Sequence, residues 1–207
     1  MDFKKWEPVY EKILEDFGFS REDDENSATL LSHLLIGPNT VDTSALEELI
    51  SGKDALVCGN APKLEIDLKE VNVEDYVIIA ADGATAHLMD NGIVPHIIVT
   101  DLDGDVEKET EANQQGSIMV VHAHGDNTEK LLRYVPQFKN VIGTTQAEPF
   151  ANIHNFGGFT DGDRCVFLAH EFNAKSITLV GFDFYDKNVT PMKEKKLKWA
   201  QRLLGAF

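Results

Sequence analysis

Apolar residues recur at helical spacing at the start of the chain. Trp6, Val9, Tyr10, Ile13, Leu14 and Phe17 fall at i, i+3 and i+4 and predict one amphipathic helix. Ser20 with Asp23 is a capping signal for a second helix carrying Leu30, Leu31, Leu34 and Leu35, and a third is expected to start near Asp42 to Ser44 and stop at Gly52. The acidic run Glu22–Glu25 reads as a first turn favoured by the helix dipole, with no further role. From Asp54 the texture changes to short apolar runs: Ala55–Cys58, Tyr76–Ala81, His96–Thr100, Ile118–His122, Val141–Thr145 and Ser176–Val180. Helical segments are expected between them at Ala84–Asp90, Val106–Gln114, Asn127–Tyr134 and Asp163–Glu171, and Lys193–Leu204 reads as a closing amphipathic helix. Continuous apolar strands alternating with helices imply a parallel sheet buried on both faces, with right-handed crossovers. The expected fold is therefore α/β and doubly wound, with a mostly parallel sheet of about six strands. An N-terminal helical segment spans 1–52, and 53–207 carries the sheet and the C-terminal helix.

Composition narrows the class. The chain has 207 residues, 43% of them hydrophobic and 26% charged, as expected of a globular protein with one good-sized core. Its net charge of −16 opposes general affinity for nucleic acid or an anionic membrane, so a phosphorylated ligand needs a cation or local backbone donors. Cys58 and Cys165 stand apart with no CxxC, which suits a reducing cytoplasm, and neither an apolar leader nor a membrane-length run is visible. The apolar faces of the N-terminal helices have two possible uses, packing on the sheet or forming a homodimer.

The candidate chemistry lies where strands end, the place where ligands bind in open α/β sheets. Cys58-Gly-Asn-Ala-Pro62, Asp82-Gly83, Asp101-Leu-Asp-Gly-Asp105, His122-Ala-His-Gly-Asp-Asn-Thr128, Gly143-Thr-Thr-Gln146 and Gly181-Phe-Asp183 follow the six runs in turn. The crowding of Asp101, Asp103 and Asp105 is costly when all are ionised, and Mg²⁺, which prefers carboxylate oxygens, relieves it. A solvated acidic turn is the competing view, but the position among other strand-end aspartates favours the metal. Asp105 is the weakest of the three as a ligand and suits a helix cap. The run is not an EF-hand, because glycine falls at Gly104 and Ala112 stands where that loop needs Glu. Gly59-Asn60 lacks the P-loop pattern and is either a strand-to-helix turn with Pro62 opening the helix or a backbone cradle for phosphate. Asp82 suits an N-cap, a role compatible with touching a ligand. His122 and His124 have spacing suited to Zn²⁺, but no third His or Cys stands nearby at ligand spacing, and the chain is short for a barrel of about 250 residues. The segment Asn155–Arg164 holds the pair Gly157-Gly158 and two aromatics, Phe156 and Phe159, able to line a flat-ring pocket under a lid; its alternative is a helix start capped by Thr160 or Asp161.

Several of these motifs occur together in one known family. Ala80-Ala-Asp-Gly-Ala84, Pro95–Asp105 (PHIIVTDLDGD), His122-Ala-His-Gly-Asp-Asn127, Gly143-Thr-Thr-Gln146 and Gly157–Asp163 (GGFTDGD) resemble the archaeal-type 6-hydroxymethyl-7,8-dihydropterin pyrophosphokinases, relatives of thiamin pyrophosphokinase. The likeness covers about Leu56 to Phe184 and is specific through the order of the motifs. Two departures point away from thiamin: the chain lacks room for the extra β-rich domain, and Glu129 stands where thiamin enzymes tend to have Asp.

The resemblance implies transfer of a diphosphate from ATP to the pterin hydroxymethyl group, with release of AMP, in folate or methanopterin biosynthesis. It implies Asp101, Asp103 and Asp126 as catalytic and Mg²⁺-binding residues. Gly59, Asn60, Asp82, Gly83, His122, Asn127, Thr128, Thr144, Thr145 and Gln146 would then serve ATP, and Gly158, Phe159, Thr160, Asp161 and Asp163 the reduced pterin. A thiamin pyrophosphokinase, a motility-associated sugar-transferase-like enzyme and a non-catalytic nucleotide-binding module are the alternatives.

Overall fold

A computed structural model describes residues 1–205 of the chain. Three helices come first: α1 (Phe3–Phe17), α2 (Arg21–Leu34) and α3 (Ser44–Ile50). The alternating region follows, with β1 (Asp54–Cys58), α4 (Leu64–Lys69), β2 (Val77–Ala81), α5 (Asp82–Asp90), β3 (Ile97–Thr100), α6 (Val106–Gln114), β4 (Ile118–Ala123), α7 (Thr128–Tyr134) and β5 (Val141–Thr145). β6 (Ile153–His154), α8 (Asp161–Glu171), β7 (Ser176–Val180) and α9 (Pro191–Leu204) complete it. The order in the sheet is β6-β5-β4-β3-β2-β1-β7, and every adjacent pair is parallel. The expected α/β class holds, with seven strands in place of six. The additional strand, β6, is two residues long, too short to leave a periodic trace. Helix α4, one of two readings of the segment after Gly59, starts at Leu64, two residues beyond Pro62, and its six residues bury only Leu64.

β2 to β5 are buried at every position, as parallel strands covered on both faces must be, whereas β7 is an edge strand with an exposed start. Alternate strand residues feed two faces. Ala55, Val57, Ile79, Ile97, Val99 and Val120 pack against α3 and α8, while Ile98, Met119 and Val121 pack against α6, α7 and, through Ala28, Leu31 and Leu35, α2. α1 and α9 meet over α8, where Trp6, Tyr10 and Ile13 share a cluster with Phe167, Trp199 and Leu203. α2 and α3 thus bury their apolar faces in the same cores as the strands, while α1 buries its face against α8 and α9. Among the described residues no helix is long and apolar enough to cross a membrane.

The chain winds outward from β1 to β6 and then returns to place β7 on the other side of β1. That reversal makes a crevice beyond the carboxyl ends of β1 and β7. The Gly59 N–H donates to Val180 O at 2.9 Å and the Ala61 N–H to Gly181 O at 2.8 Å, so the two strand exits run close together there.

Candidate active site

A cavity of about 480 Å³ opens at this edge of the sheet. Its floor is acidic. Carboxylate oxygens of Asp82, Asp101 and Asp161 all lie within 4.8 Å of one another, each group partly buried. Asp82 is the first residue of α5, Asp101 follows β3, and Asp161 is the first residue of α8, so three strand-to-helix junctions converge.

The turn after β3 sorts its aspartates by direction. Leu102 is buried at a positive φ of 66°, and its N–H donates to Thr100 Oγ1 at 2.8 Å. Anchoring Leu102 sends Asp101 inward, with 13% of its side chain exposed, and Asp103 outward, with 60% exposed and paired to Lys130. Asp105 caps α6 by accepting the Lys108 N–H at 3.2 Å, as expected. Asp82 lies within α5 and turns its carboxylate to the neighbouring Gly83 N–H; the N-cap position is Ala81. Beneath the turn, Thr100 Oγ1 donates to the buried Glu109 carboxylate at 3.0 Å.

Burial and mutual repulsion set the charges. Burial, then the neighbouring Asp101 charge, pushes Asp82 up to about 6. Burial followed by the charges of Asp101 and Asp82 raises Asp161 well above the usual carboxylate range, against the pull of Arg164 at 3.2 Å. Burial also acts upward on Asp101, but the hydrogen bond and charge of His124, with Arg164 and Lys196, outweigh it and bring Asp101 to about 2. Nearby Glu109, buried and facing Asp82, is pushed up to about 8. So dense a group of buried carboxylates is costly to leave without a cation.

The cavity gathers many of the expected site residues. Gly59, Asn60, Asp82, Gly83, Asp101, Asp103, Asp126, Gln146, Phe159, Thr160 and Asp161 line it. Gly83 lies under Asn60, since an added Cβ would sit 2.6 Å from the Asn60 Nδ2. Other residues serve from behind the wall. Asn127 is buried, donates from Nδ2 to Asp101 O at 2.9 Å and His122 O at 2.7 Å, and accepts the His124 N–H, clamping the two loops together. His122 is buried against Thr144 Oγ1 at 3.1 Å, with burial holding its pKa well below the ordinary value. Thr144 Oγ1 donates to Val121 O, Thr145 Oγ1 accepts the Ala147 N–H, and Thr128 opens α7. Of the histidine pair only His124 reaches the cavity, 3.4 Å from Asp101, and no His joins the metal-competent cluster among the described residues.

The loop before α8 divides similarly. Phe156 packs on His154 and Phe172 in the core, away from the cavity, whereas Phe159 stands in the cavity wall beside Phe17. Asp163 is fully buried and reaches back to the Phe159 N–H at 2.6 Å and the Thr160 N–H at 2.8 Å, completing a capping box. Gly158, at φ 88°, passes so close to Arg164 that a Cβ would lie 2.7 Å from its Cα. Asp163 and Gly158 therefore shape the loop that presents Thr160 and Asp161.

Sequence inspection missed the contribution of α2. Asp24, read as part of a solvated first turn, is buried and accepts from Tyr10 Oη at 2.7 Å, Gln146 Nε2 at 2.8 Å and Gly125 N at 2.9 Å. The available signal was its helical phase, since Asp24 falls in register with the buried Ala28, Leu31 and Leu35. Arg164 and Phe182, which lie in segments singled out from the sequence without a role of their own, also line the cavity, as do Phe19, Lys193 and Lys196, which were not foreseen.

A carboxylate cluster in a cavity beyond the strand ends of a parallel sheet fits the class of α/β enzymes that bind phosphorylated ligands there. Residues 33–189 match the family described as "6-hydroxymethylpterin diphosphokinase MptE-like", and the chain belongs to that family. It is 46% identical to the 6-hydroxymethyl-7,8-dihydropterin pyrophosphokinase of Methanocaldococcus jannaschii, over 89% of this chain and 80% of that one. It is 42% identical to the protein of the same name from Methanothermobacter thermautotrophicus, over 99% and 94% of the two chains. The protein of that name from Pyrococcus furiosus is 44% identical over 99% and 93%.

Proposed function

We propose that this protein transfers a diphosphate group from ATP to the hydroxymethyl oxygen of 6-hydroxymethyl-7,8-dihydropterin, releasing AMP, as a step in folate or methanopterin biosynthesis. What carries this reading is the placement of the Asp82–Asp101–Asp161 cluster in the cavity of a chain whose relatives, 42 to 46% identical, are named for that pterin. The substrate hydroxyl oxygen attacks the β-phosphorus of ATP. The new O–P bond forms as the bond from the β-phosphorus to the α,β-bridging oxygen breaks, and that oxygen leaves with AMP. Such a step needs in-line positioning and charge neutralisation more than a covalent nucleophile.

Three carboxylates form a hard oxygen donor set that fits Mg²⁺, with Asp82, Asp101 and Asp161 to hold it and Asp103 at the rim. When bound, the ion supplies charge neutralisation to the polyphosphate. Asp126, exposed in the cavity wall, orients the pterin hydroxyl and takes its proton. Gly59, Asn60 and Gly83 line the part of the cavity where the nucleotide phosphates would lie. Phe159 and Thr160 contact the pterin ring, with the loop before α8 held in shape by Asp163.

The test is direct. With ATP, Mg²⁺ and the reduced pterin, the purified protein is expected to form AMP and pterin diphosphate in equal amounts. ADP as the nucleotide product, or ATP bound without turnover, would overturn the proposal.

A further inference from the structure

Helix α9 lies beyond residues 33–189 of the family match, yet it forms one wall of the cavity. Its lysines face two ways. On the outer side, the Lys195 ammonium donates to Asp16 O and lies over the Phe17 ring, and Lys198 pairs with Glu194 at 2.6 Å. On the inner side, Lys193, Lys196, Leu197 and Ala200 follow helical spacing and line the cavity. Lys193 is exposed at the mouth, and Lys196 is partly buried.

The cations of the site differ in what already holds them. Arg164 pairs with Asp161 through one Nη at 3.2 Å, although its buried Nε has no partner, and Lys130 pairs with Asp103. The Lys196 ammonium has no hydrogen bond or ion pair with any described residue, although its charge is felt at Asp101. A lysine held near a carboxylate cluster in a chain of net charge −16, without pairing to any carboxylate, is free to meet an incoming anion. We infer that Lys196 is a catalytic residue that binds the diphosphate being transferred, its ammonium donating to phosphate oxygens from the α9 wall opposite the carboxylate cluster.

This inference rests on the proposed diphosphate transfer. As the β-phosphorus changes partners, negative charge builds on the bridging oxygen that departs with AMP and persists on the diphosphate joined to the pterin. A fixed ammonium there lowers the barrier without taking or giving a proton. Arginine carries the same charge and can also donate to phosphate, whereas methionine preserves only the length of the side chain.

The experiment uses the full chain and four proteins: wild type, Lys196→Met, Lys196→Arg and, as a control on the outer side of α9, Lys198→Met. Lys196→Met is expected to lower kcat/KM for ATP by about 100-fold, the scale of losing one fixed donor to developing charge. Lys196→Arg is expected to recover all but about tenfold of that loss, and Lys198→Met to match wild type. Affinity for inorganic pyrophosphate, measured calorimetrically with Mg²⁺ present, is expected to fall at least about tenfold in Lys196→Met while its melting temperature stays at the wild-type value. Wild-type kcat/KM together with wild-type pyrophosphate affinity in Lys196→Met overturns the inference and leaves the proposed function standing. So does a loss that tracks a lower melting temperature and is not relieved by arginine. Wild type that fails to make pterin diphosphate, with pyrophosphate affinity still dependent on Lys196, sinks the reaction and with it the catalytic role, and leaves Lys196 as a pyrophosphate-binding residue alone.

Discussion

Gln146 Nε2 donates to Asp24 Oδ2 at 2.8 Å, joining the end of β5 to a helix 122 residues earlier in the chain. The same carboxylate holds Tyr10 and the backbone of Gly125, next to Asp126 in the cavity wall. Asp24→Ala leaves these donors without a protein acceptor, and each buried orphan costs about 1–3 kcal/mol. A loss of about 3 kcal/mol in urea unfolding is expected for Asp24→Ala, and about 1 kcal/mol for Tyr10→Phe, which removes one donor and leaves the carboxylate otherwise satisfied.

Two aspartates two positions apart are expected to respond in opposite ways. Asp161 sits among like charges, so Asp161→Asn relieves repulsion and is expected to hold or raise the melting temperature while turnover drops by about 100-fold or more. Asp163 instead accepts the Phe159 and Thr160 N–H groups, and Asp163→Asn is expected to cost about 1–3 kcal/mol of stability. Melting curves and initial rates on the two variants check the pair; equal stability loss in both would break the distinction.

Gly158 and Gly116 both have positive φ, at 88° and 113°, but only Gly158 faces a close neighbour. Alanine at Gly116 meets backbone strain alone, about 1–3 kcal/mol. Gly158→Ala meets that strain and a clash with the Arg164 backbone, so its thermal destabilisation is expected to exceed that of Gly116→Ala and to be accompanied by loss of activity.

His96 supplies a pH dependence remote from the carboxylates. Its Nδ1 accepts the Ile78 N–H at 3.0 Å, and burial, then the nearby Lys53 charge, lowers its pKa below 6.5. The unfolded chain therefore binds a proton at this site more readily than the folded one. This contribution to stability is present above about pH 6.5 and is lost as pH falls through the lower folded-state value. Unfolding free energies between pH 7.5 and pH 5 are expected to fall less steeply in His96→Ala than in wild type, with a cost near pH 7.5 of about 1 kcal/mol for the lost hydrogen bond.

Much of the fold was readable because parallel strands covered on both faces need not alternate, and apolar runs mark β1 to β4 within a residue, while β5 and the alternating edge strand β7 carry a weaker apolar signal at the expected places. β6 and α4 left no such trace, being too short to set a period. At the site, strand-end position found Asp82, Asp101 and Asp126, because topology alone sends those residues to one rim. Sequence could not rank Asp103 against Asp161. The choice depends on the positive φ at Leu102, which turns Asp103 outward, and on α8 starting two residues earlier than its apolar run suggests, which brings Asp161 inward. Lys196 was hidden for a different reason: it lies on a helix whose charged residues look alike until its neighbours are known, whereas Asp24 was marked only by its helical phase.

The bonds of Asp24 also decide what can be separated from what. A fragment starting at residue 53 would retain all seven strands and the three cluster aspartates, so by motif content it would look whole. It would nonetheless lose the acceptor that steadies Gln146 and Gly125, along with Phe19 and Asp23 from the cavity wall. Transplanting the chemistry to another scaffold therefore requires carrying the helical preface with the sheet.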